Sequence, residues 1–523
     1  MDLPFSRRRF LGSALYGSLG IGLSACGGSA FDQDASAPSG PVPEARITLA
    51  LSSIDQLAAD LMQRTGLPGM AVAVVRGSPD GVHGFQTVYA KGFGIRALGE
   101  PGAVDADTVF QLASVSKPIG ATVVAQQVGL GGIDWNTPVQ SHLPWFALAD
   151  PAQSAQLTIG DLYAHRSGLP PGAGDMLEAL GYEQRYVLEH LRYLPLAPLR
   201  SRYAYANFGM TAGAAAVAAA AGVDWASLSE QVLYRPLGMS RTSSRFADFS
   251  GRSNRAVGHV PVNGKWQRGE VRQPDAQSPA GGASSSVTDM GQWLALLLGQ
   301  GKFGGRQLVN GAALASALSP QILSAPADAG GAANYYGYGF NVGKTTSGRL
   351  SYSHSGAFTL GASTSFMVVP STGLGIVVLT NGFPIGIPEA LAGQFFDYVQ
   401  YGRIQQDWFK NMSARFAPLA LPEGSLAGTV PPVAPAPAQP LAAYTGSYRN
   451  SYFGTLDVTA QNGVLVVTVG PLARPMPLRH WDGDLFAAVP PGDVAGSLCR
   501  VEFGADQVLL ELYDSEGWGT FTR

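Results

Sequence analysis

A serine and a lysine three residues apart are the first candidates for chemistry in this chain. Ser114 precedes Lys117, and no other serine stands three residues before a lysine. On a helix, that spacing places both side chains on one face. A serine hydroxyl becomes a good nucleophile when a neighbour takes its proton, and a lysine in a dry pocket can do so. The pair predicts covalent acyl transfer, although the spacing alone also fits an exposed polar pair on a helix.

Two further groups of polar residues stand much later in the chain. Tyr205 and Asn207 form a Tyr-Ala-Asn box, and His354 and Gly356 form a His-Ser-Gly box just before a predicted strand. A tyrosine oxygen close to an amine can share its proton, and an asparagine offers both a donor and an acceptor. A glycine allows the backbone to approach a bound ligand closely.

The order of the three boxes, Ser-x-x-Lys, Tyr-x-Asn and His-x-Gly, resembles that of the serine β-lactamase and penicillin-binding-protein superfamily. The likeness is nearest to class C β-lactamases, D-Ala-D-Ala carboxypeptidases, D-aminopeptidases and family VIII esterases. It covers roughly residues 50–400 and includes matching segments at 157–170, 234–239, 279–283 and 380–381.

The resemblance implies a role for each box residue. Ser114 is expected to be the nucleophile at the start of a buried helix, and Lys117 to take or relay its proton. Tyr205 is expected to act as, or with, the general base and to protonate the leaving group. Asn207 is expected to orient the substrate amide, and His354 to lie on the wall opposite Ser114.

The resemblance also implies an oxyanion hole and one departure from the family pattern. The backbone N–H groups of Ser114 and Ala357 would form the hole, with Gly356 beside them in the substrate-binding wall. Many members that bind β-lactams carry lysine where this chain has His354. A histidine is largely neutral near pH 7, so it holds a substrate carboxylate less firmly than a lysine does.

The sequence therefore predicts a serine hydrolase that forms an acyl-enzyme on Ser114. Its expected substrates are short or unusual peptides, with D-residues or linear chains, or carboxylic esters. The alternatives are a β-lactamase, a penicillin-binding sensor that acylates without turnover, and a non-catalytic ligand-binding lipoprotein. No cofactor is expected, and the spacing of the seven histidines predicts no metal site. Net charge is −3 without a basic block after the leader, which disfavours nucleic acid as a partner.

The remaining candidates are predicted to be structural. We interpret His165 as a hydrogen-bonding residue of the fold, and the stretch 158–161 as a helix capping box. An aromatic set is expected to line the cleft or to pack in the core: Tyr335, Tyr336, Tyr338 and Phe340. Substrate specificity is expected to lie in the cleft loops 170–202 and 250–280.

The pattern of elements predicts an α/β hydrolase domain over residues 45–415. Strands at both ends and helices between them indicate a β-lactamase-like antiparallel sheet flanked by helices, plus an all-helical region. Residues 416–440 have a Pro/Ala-rich linker composition. Eight short alternating strands in 441–523 predict a small antiparallel barrel, which resembles the lipocalin-like domain of some family peptidases. The pattern leaves open whether this barrel covers the cleft, binds a partner or mediates oligomers.

The N-terminus resembles an export signal. Residues 1–26 look like a twin-arginine lipoprotein signal that ends in a lipobox at Cys26, and residues 27–44 are typical of a tether. The resemblance implies acylation of Cys26 and a periplasmic protein anchored by lipid in the bacterial cell envelope. Gly27 favours the outer membrane. An ordinary signal peptide is the alternative.

Overall fold

The computed structural model describes residues 40–78, 84–327, 332–492 and 495–523. The predicted signal, its Cys26 and most of the predicted tether lie outside these residues. Within the described residues, no single helix is long and apolar enough to cross a membrane. One pair of helices, Asn207–Ala221 and Trp225–Tyr234, is long and apolar enough when taken together, but the pair is bent by 75°.

An eight-stranded antiparallel sheet forms the centre of the fold. Its strands in chain order are β1 Gly69–Gly77, β2 Phe85–Gly94, β3 Ile322–Ala325, β4 Asn334–Tyr336, β5 Asn341–Lys344, β6 Leu350–Phe358, β7 Ala362–Val369 and β8 Leu374–Thr380. Their order across the sheet is β2-β1-β8-β7-β6-β5-β4-β3. Strands β1 and β8, from the two ends of the hydrolase domain, are therefore neighbours in the sheet, as the sequence predicts. The predicted α/β fold is confirmed.

Both faces of the sheet are covered by helices. Six helices matter most for the site: α1 Glu44–Thr65, α2 Ser116–Leu130, α3 Asp175–Ala179, α4 Asn207–Ala221, α5 Val287–Leu298 and α6 Ile387–Tyr401. Shorter helices are Pro151–Gln156, Ile159–Tyr163, Gln184–His190, Trp225–Ser229, Phe246–Ser250, Ser278–Gly281, Gly311–Ala317 and Trp408–Phe416.

Residues 69–75 of strand β1 are all apolar because both faces of the strand are covered there. Met70, Val72 and Val74 join one buried cluster with α1 and α6, and their neighbours Ala71 and Ala73 join the other with α5. Successive side chains of a strand point to opposite faces, so a strand covered on both sides has no polar alternation.

Two sequence predictions near the third box need correction. The aromatic alternation of residues 337–342 predicts one strand, but only Asn341 and Val342 lie in β5. Residues 337–340 form the turn between β4 and β5, closed by the Gly337 N–H donating to the Phe340 carbonyl at 2.8 Å. His354 lies inside β6 and not just before a strand. The sequence does not reveal this turn, because Gly337 and Gly339 alternate with aromatic residues as they would in a strand.

The C-terminal residues form a closed eight-stranded barrel, as predicted. Its strands are β9 Gly446–Asn450, β10 Gly454–Gln461, β11 Val464–Val469, β12 Met476–Asp482, β13 Leu485–Ala488, β14 Cys499–Phe503, β15 Gln507–Leu510 and β16 Thr520–Thr522. Arg449 pairs with Thr522 and closes the ring. Cys499 stands in an alternating segment, which predicts a small core residue, and it is buried in β14.

The barrel is hydrogen-bonded to the segment that carries α3. The Tyr452 hydroxyl accepts from the Gly174 N–H at 3.0 Å, and Leu472 N–H donates to the Leu180 carbonyl at 3.0 Å. The Tyr182 hydroxyl donates to the Phe453 carbonyl at 2.9 Å. The barrel therefore contacts the hydrolase domain on both sides of α3.

Replacing Tyr452 with phenylalanine should destabilise the protein. The Gly174 N–H is buried, and its loss of an acceptor costs about 1–3 kcal/mol. Calorimetric unfolding should show a lower Tm for Tyr452→Phe, whereas Tyr193→Phe at an exposed ring should shift stability by less than about 0.5 kcal/mol. Equal Tm values for the two variants would show that the barrel contact contributes nothing.

Candidate active site

Ser114 stands in a short turn that is held against the sheet. Residues Ala113–Val115 form a 3-10 turn directly before α2, and Ala113 has a φ of 47°. This left-handed conformation is uncommon for a residue with a side chain and costs of order 1 kcal/mol. The Leu112 N–H donates to the Ala283 carbonyl at 2.9 Å, and the Thr364 hydroxyl donates to the Leu112 carbonyl at 2.7 Å. These contacts fix the nucleophile candidate where the sequence predicts it, at the start of a buried helix.

Lys117 lies one turn further along and is completely buried. Its Nζ is 3.0 Å from the Ser114 hydroxyl oxygen, 2.6 Å from Asn207 Oδ1 and 2.8 Å from the Ala280 carbonyl oxygen. Burial holds the pKa of the amine well below its ordinary value, against a smaller opposing effect of Asp175 and Glu178. The amine is therefore far easier to deprotonate than a surface lysine.

Three neighbours of the Lys117 amine accommodate its neutral form as well as its protonated form. A neutral amine has two hydrogens and one lone pair. Asn207 Oδ1 and the Ala280 carbonyl can only accept, so they take the two hydrogens. The lone pair then faces the third neighbour, the Ser114 hydroxyl. This arrangement suits removal of the serine proton by the lysine.

Tyr205 approaches the same hydroxyl from another side. Its O–H donates to Ser114 Oγ at 2.8 Å, and the Lys117 Nζ lies 4.5 Å from the centre of its ring. The Tyr205 side chain is buried at 1% exposure. The hydroxyl of Ser114 is thus placed between an amine and a phenol, either of which can exchange a proton with it.

The His165 ring packs against the ring of Tyr205. Its Nδ1 accepts from the Ala206 N–H at 3.2 Å, and its ring centre is 4.4 Å from that of Tyr205. Burial, with the nearby Lys117 and His354, holds its pKa well below the ordinary value, so the ring is neutral. The predicted structural role of His165 as a hydrogen-bonding residue is confirmed.

Asn207, the first residue of α4, connects the catalytic lysine candidate to two acids on α3. Its Nδ2 donates to Asp175 at 3.1 Å, while its Oδ1 accepts from Lys117. Glu178, one turn after Asp175, accepts from Arg272 and Gln277. The geometry makes Asn207 a bridge between the amine and Asp175. Orientation of a substrate amide by Asn207 stays a prediction.

His354 is a neutral, completely buried residue of β6, and it is not among the residues that line the described cleft. Its Nδ1 is 2.7 Å from the Ser355 carbonyl oxygen, which can only accept, so Nδ1 carries the hydrogen. Nε2 consequently accepts from the Tyr336 hydroxyl at 2.9 Å. Burial, then the Lys117 amine, lowers the pKa of His354 to about 3. A histidine held in this state provides no cation for a substrate carboxylate.

Gly356 brings β6 against the turn that carries Ser114. A Cβ at this position would collide with the Leu112 carbonyl oxygen and the Thr364 hydroxyl, and would lie 3.1 Å from the Ser114 nitrogen. The glycine therefore permits a close approach of two protein segments, rather than of backbone to ligand as the sequence suggests. Ala357 follows it and lines the cleft, and its part in an oxyanion hole stays a prediction.

The cleft beside these residues has a volume of about 890 Å³ and is lined by both domains. The loops 170–202 and 250–280 contribute, as the sequence predicts, and so do barrel residues such as Leu472, Arg474 and Tyr513. Sequence reasoning missed Asp175 and Glu178, and it left open whether the barrel covers the cleft. The only signal for the acids was their spacing of three residues in a short helix.

Replacing Lys117 with methionine should abolish acylation of Ser114. The variant keeps the side-chain volume but cannot accept a proton, so labelling by a fluorophosphonate should slow by at least about 10³-fold. Lys91→Met at an exposed site is the control. For the wild type, labelling should speed up as the pH rises through the lowered lysine pKa and level off well below pH 10.5. A rate that keeps rising to pH 10.5 would contradict a neutral Lys117.

Gly356→Ala should both destabilise the fold and slow acylation. The added methyl group must push β6 away from Leu112, and such overpacking costs about 1–3 kcal/mol. Gly132→Ala is the control, since its Cβ would meet no described atom within 4 Å. Thermal unfolding and the labelling rate measure the two effects. If Gly356→Ala matched the wild type in both thermal unfolding and labelling rate, the close approach of β6 to Leu112 would not be what sets the geometry of the site.

Comparison with known proteins places the whole arrangement in a family. Residues 54–392 match the model of the beta-lactamase family, and residues 430–507 match a domain of unknown function, DUF3471. An unguisins hydrolase, ungD, of Aspergillus violaceofuscus is 25% identical over 506 residues, which cover 86% of this chain and 85% of that protein. Penicillin-binding protein 4 of Amycolatopsis lactamdurans is 27% identical, and the match covers 73% of this chain and 93% of that protein.

Two further similarities agree with this placement. Esterase EstB of Burkholderia gladioli is 35% identical over 166 residues, 29% of this chain and 41% of the esterase. The octameric penicillin-binding protein homologue from Pyrococcus abyssi has the same fold, with a TM-score of 0.58 at 18% identity. That match covers 88% of this chain and 98% of the homologue.

Proposed function

Since this chain belongs to the beta-lactamase family, we propose that its hydrolase activity proceeds through an acyl-enzyme on Ser114 and is directed at peptides, other amides or carboxylic esters. One observation carries the proposal: the Ser114 hydroxyl lies within 3.0 Å of both a buried amine and a buried phenol. Ground-state contacts of this kind define an activated nucleophile.

The proposed acylation begins with transfer of the Ser114 proton to the lone pair of Lys117. Oγ attacks the substrate carbonyl carbon, and the carbonyl electron pair moves onto oxygen, where the N–H groups of Ser114 and Ala357 stabilise it. One such donor typically contributes about 3–4 kcal/mol to lowering the barrier. When the tetrahedral adduct collapses, the leaving group takes the Tyr205 proton, and the Lys117 proton restores the phenol.

Deacylation uses the same groups in reverse. A water molecule attacks the acyl carbon and gives its proton to the Tyr205 and Lys117 pair. The acyl–oxygen bond breaks, Ser114 regains a proton, and the carboxylic acid leaves. Microscopic reversibility requires the group that protonated the first leaving group to activate this water.

The electrostatics of the wall favour peptides and esters over β-lactams. A neutral His354 whose Nε2 accepts from Tyr336 offers no positive charge to the carboxylate that β-lactams carry. The relatives named a hydrolase and an esterase support the same direction. A β-lactamase and a penicillin-binding sensor remain the second candidates, favoured by the relative named penicillin-binding protein 4.

Intact-protein mass spectrometry during turnover of a nitrophenyl ester tests the proposal. We expect a transient acyl adduct that proteolysis locates on Ser114, together with continuous release of nitrophenol. Ser114→Ala should lose both, and Ser116→Ala should still carry the adduct on Ser114. With benzylpenicillin, a permanent adduct without turnover would favour a sensor instead. Absence of any adduct with ester, penicillin and fluorophosphonate would favour a non-catalytic ligand-binding protein.

We propose that the N-terminal residues anchor the protein in the cell envelope through a lipid on Cys26, on the strength of the signal and lipobox patterns. Metabolic labelling with a fatty-acid probe tests this, because Cys26→Ser should lose the label.

A further inference from the structure

The turn between strands β9 and β10 carries a tyrosine from the barrel into contact with the hydrolase domain. Tyr452 is only 3% exposed, and its hydroxyl oxygen accepts from the Gly174 N–H at 3.0 Å. Burial, together with the nearby Asp175 carboxyl, raises the pKa of this phenol, against an opposing effect of the Gly174 N–H. The phenol therefore keeps its proton near pH 7 and contacts the hydrolase domain directly before the first residue of α3.

The barrel holds this tyrosine in place from its own side. Asn450, the last residue of β9, accepts through Oδ1 from the Tyr452 N–H at 2.8 Å and from the Phe453 N–H at 2.9 Å. Its Nδ2 donates to the carbonyls of Trp518 and Thr520, each at 2.8 Å. One side chain thus ties the turn to the segment that closes the ring, so the position of the tyrosine follows that of the barrel.

Gly174 is fixed from the hydrolase side as well. It has a left-handed φ of 90°, and a Cβ there would lie 2.6 Å from the ring of Phe208, so the backbone packs directly on that ring. Gly172 donates to the Tyr205 carbonyl at 2.9 Å and accepts from the Asp175 N–H at 3.0 Å. This short stretch of chain is therefore packed between the barrel and the Tyr-Ala-Asn box.

The same stretch is joined to the buried amine through one carboxyl and one amide. Asn207 Nδ2 lies 3.1 Å from Oδ1 and 3.2 Å from Oδ2 of Asp175, so one oxygen can accept in either protonation state of the acid. With its nitrogen on the acid, the amide turns its oxygen to Lys117 Nζ, at 2.6 Å. Four hydrogen bonds therefore lead from Tyr452 to Ser114.

We propose that Tyr452 of the barrel is a positioning residue for the Lys117 amine. Holding Gly174 in place keeps the Asp175 carboxyl on Asn207, and this contact keeps the amide oxygen on the amine. The barrel is then part of the machinery that prepares the nucleophile, in addition to forming one wall of the cleft. The inference rests on the proposed function, because it assigns a positioning role in the same acylation of serine.

The rate at which a fluorophosphonate labels Ser114 tests the inference in the full-length protein. Tyr452→Phe should slow labelling about fivefold or more, because the amide that holds the amine loses its support. Tyr448→Phe is the matched control, since its hydroxyl is also buried and donates to the Tyr444 carbonyl at 2.9 Å, but inside the barrel. The control should lower Tm while leaving the labelling rate within about twofold. A Tyr452→Phe rate within about twofold of the wild type would overturn the inference.

A double-mutant cycle separates positioning from a general loss of stability. Asp175→Ala cuts the same connection between the barrel and the amine, so adding Tyr452→Phe to it should change the labelling rate by less than about twofold. The Tm should fall in both backgrounds, because the Gly174 N–H loses its acceptor in each. An equal further loss of rate in both backgrounds would overturn the inference, since Tyr452 would then act by another route. Tyr452→Met removes the same hydroxyl and takes the place of Tyr452→Phe in the cycle if that variant does not fold.

The ¹³Cε resonance of Lys117 separates this inference from the proposed chemistry, because it requires no turnover. Tyr452→Phe and Asp175→Ala should each move this resonance by more than its linewidth at neutral pH, whereas Tyr448→Phe should leave it in place. That result supports the positioning role even if no probe or substrate acylates Ser114, and in that case it is the proposed function that fails. A resonance that Tyr452→Phe leaves in place overturns the positioning role and leaves acylation of Ser114 to its own test.

Discussion

The burial of one amine is the constraint on which the rest of the site depends. A charged lysine in a completely buried position would lose its hydration without gaining a full ion pair, so the fold lowers the pKa of Lys117 instead. The neutral amine can then donate to Asn207 and the Ala280 carbonyl and accept from Ser114. In the proposed mechanism, removing water from the amine is what makes the serine nucleophilic, and the surrounding elements keep that water out.

The fold achieves this by placing three distant segments around one turn. Helix α2 carries the amine, α4 begins at Asn207, and β6 closes the opposite side through Gly356. The same burial that deprotonates the lysine also neutralises His165 and His354, because a charged ring would be equally costly there. Asp175 and Glu178 lie on α3, and the preceding residue, Gly174, is hydrogen-bonded to the barrel through Tyr452.

Much of this could be predicted from the sequence, for identifiable physical reasons. Regular periodicity located the sheet and the barrel, since a strand buried on both faces and a short alternating strand leave distinct patterns. The boxes located Ser114, Lys117 and Tyr205, which lie 91 residues apart from first to last yet meet within hydrogen-bond distance. Asp175 and Glu178 were not predicted because α3 has only five residues, too few for a periodic pattern to show which side chains face a cleft. The tautomer of His354 depends on Ser355 and Tyr336 in space, so it could not be read from the order of residues.

Direct titration of the lysine is the measurement that tests this account most sharply. The chain has six lysines, so NMR with ¹³Cε-labelled lysine gives a small set of resonances in which Lys117 is assigned by its loss in Lys117→Met. We predict that the Lys117 resonance titrates far below the ordinary lysine value, because burial lowers the pKa of its amine. A Lys117 resonance that titrates near pH 10.5 would contradict the central claim, because the amine would then be protonated when the serine must lose its hydrogen.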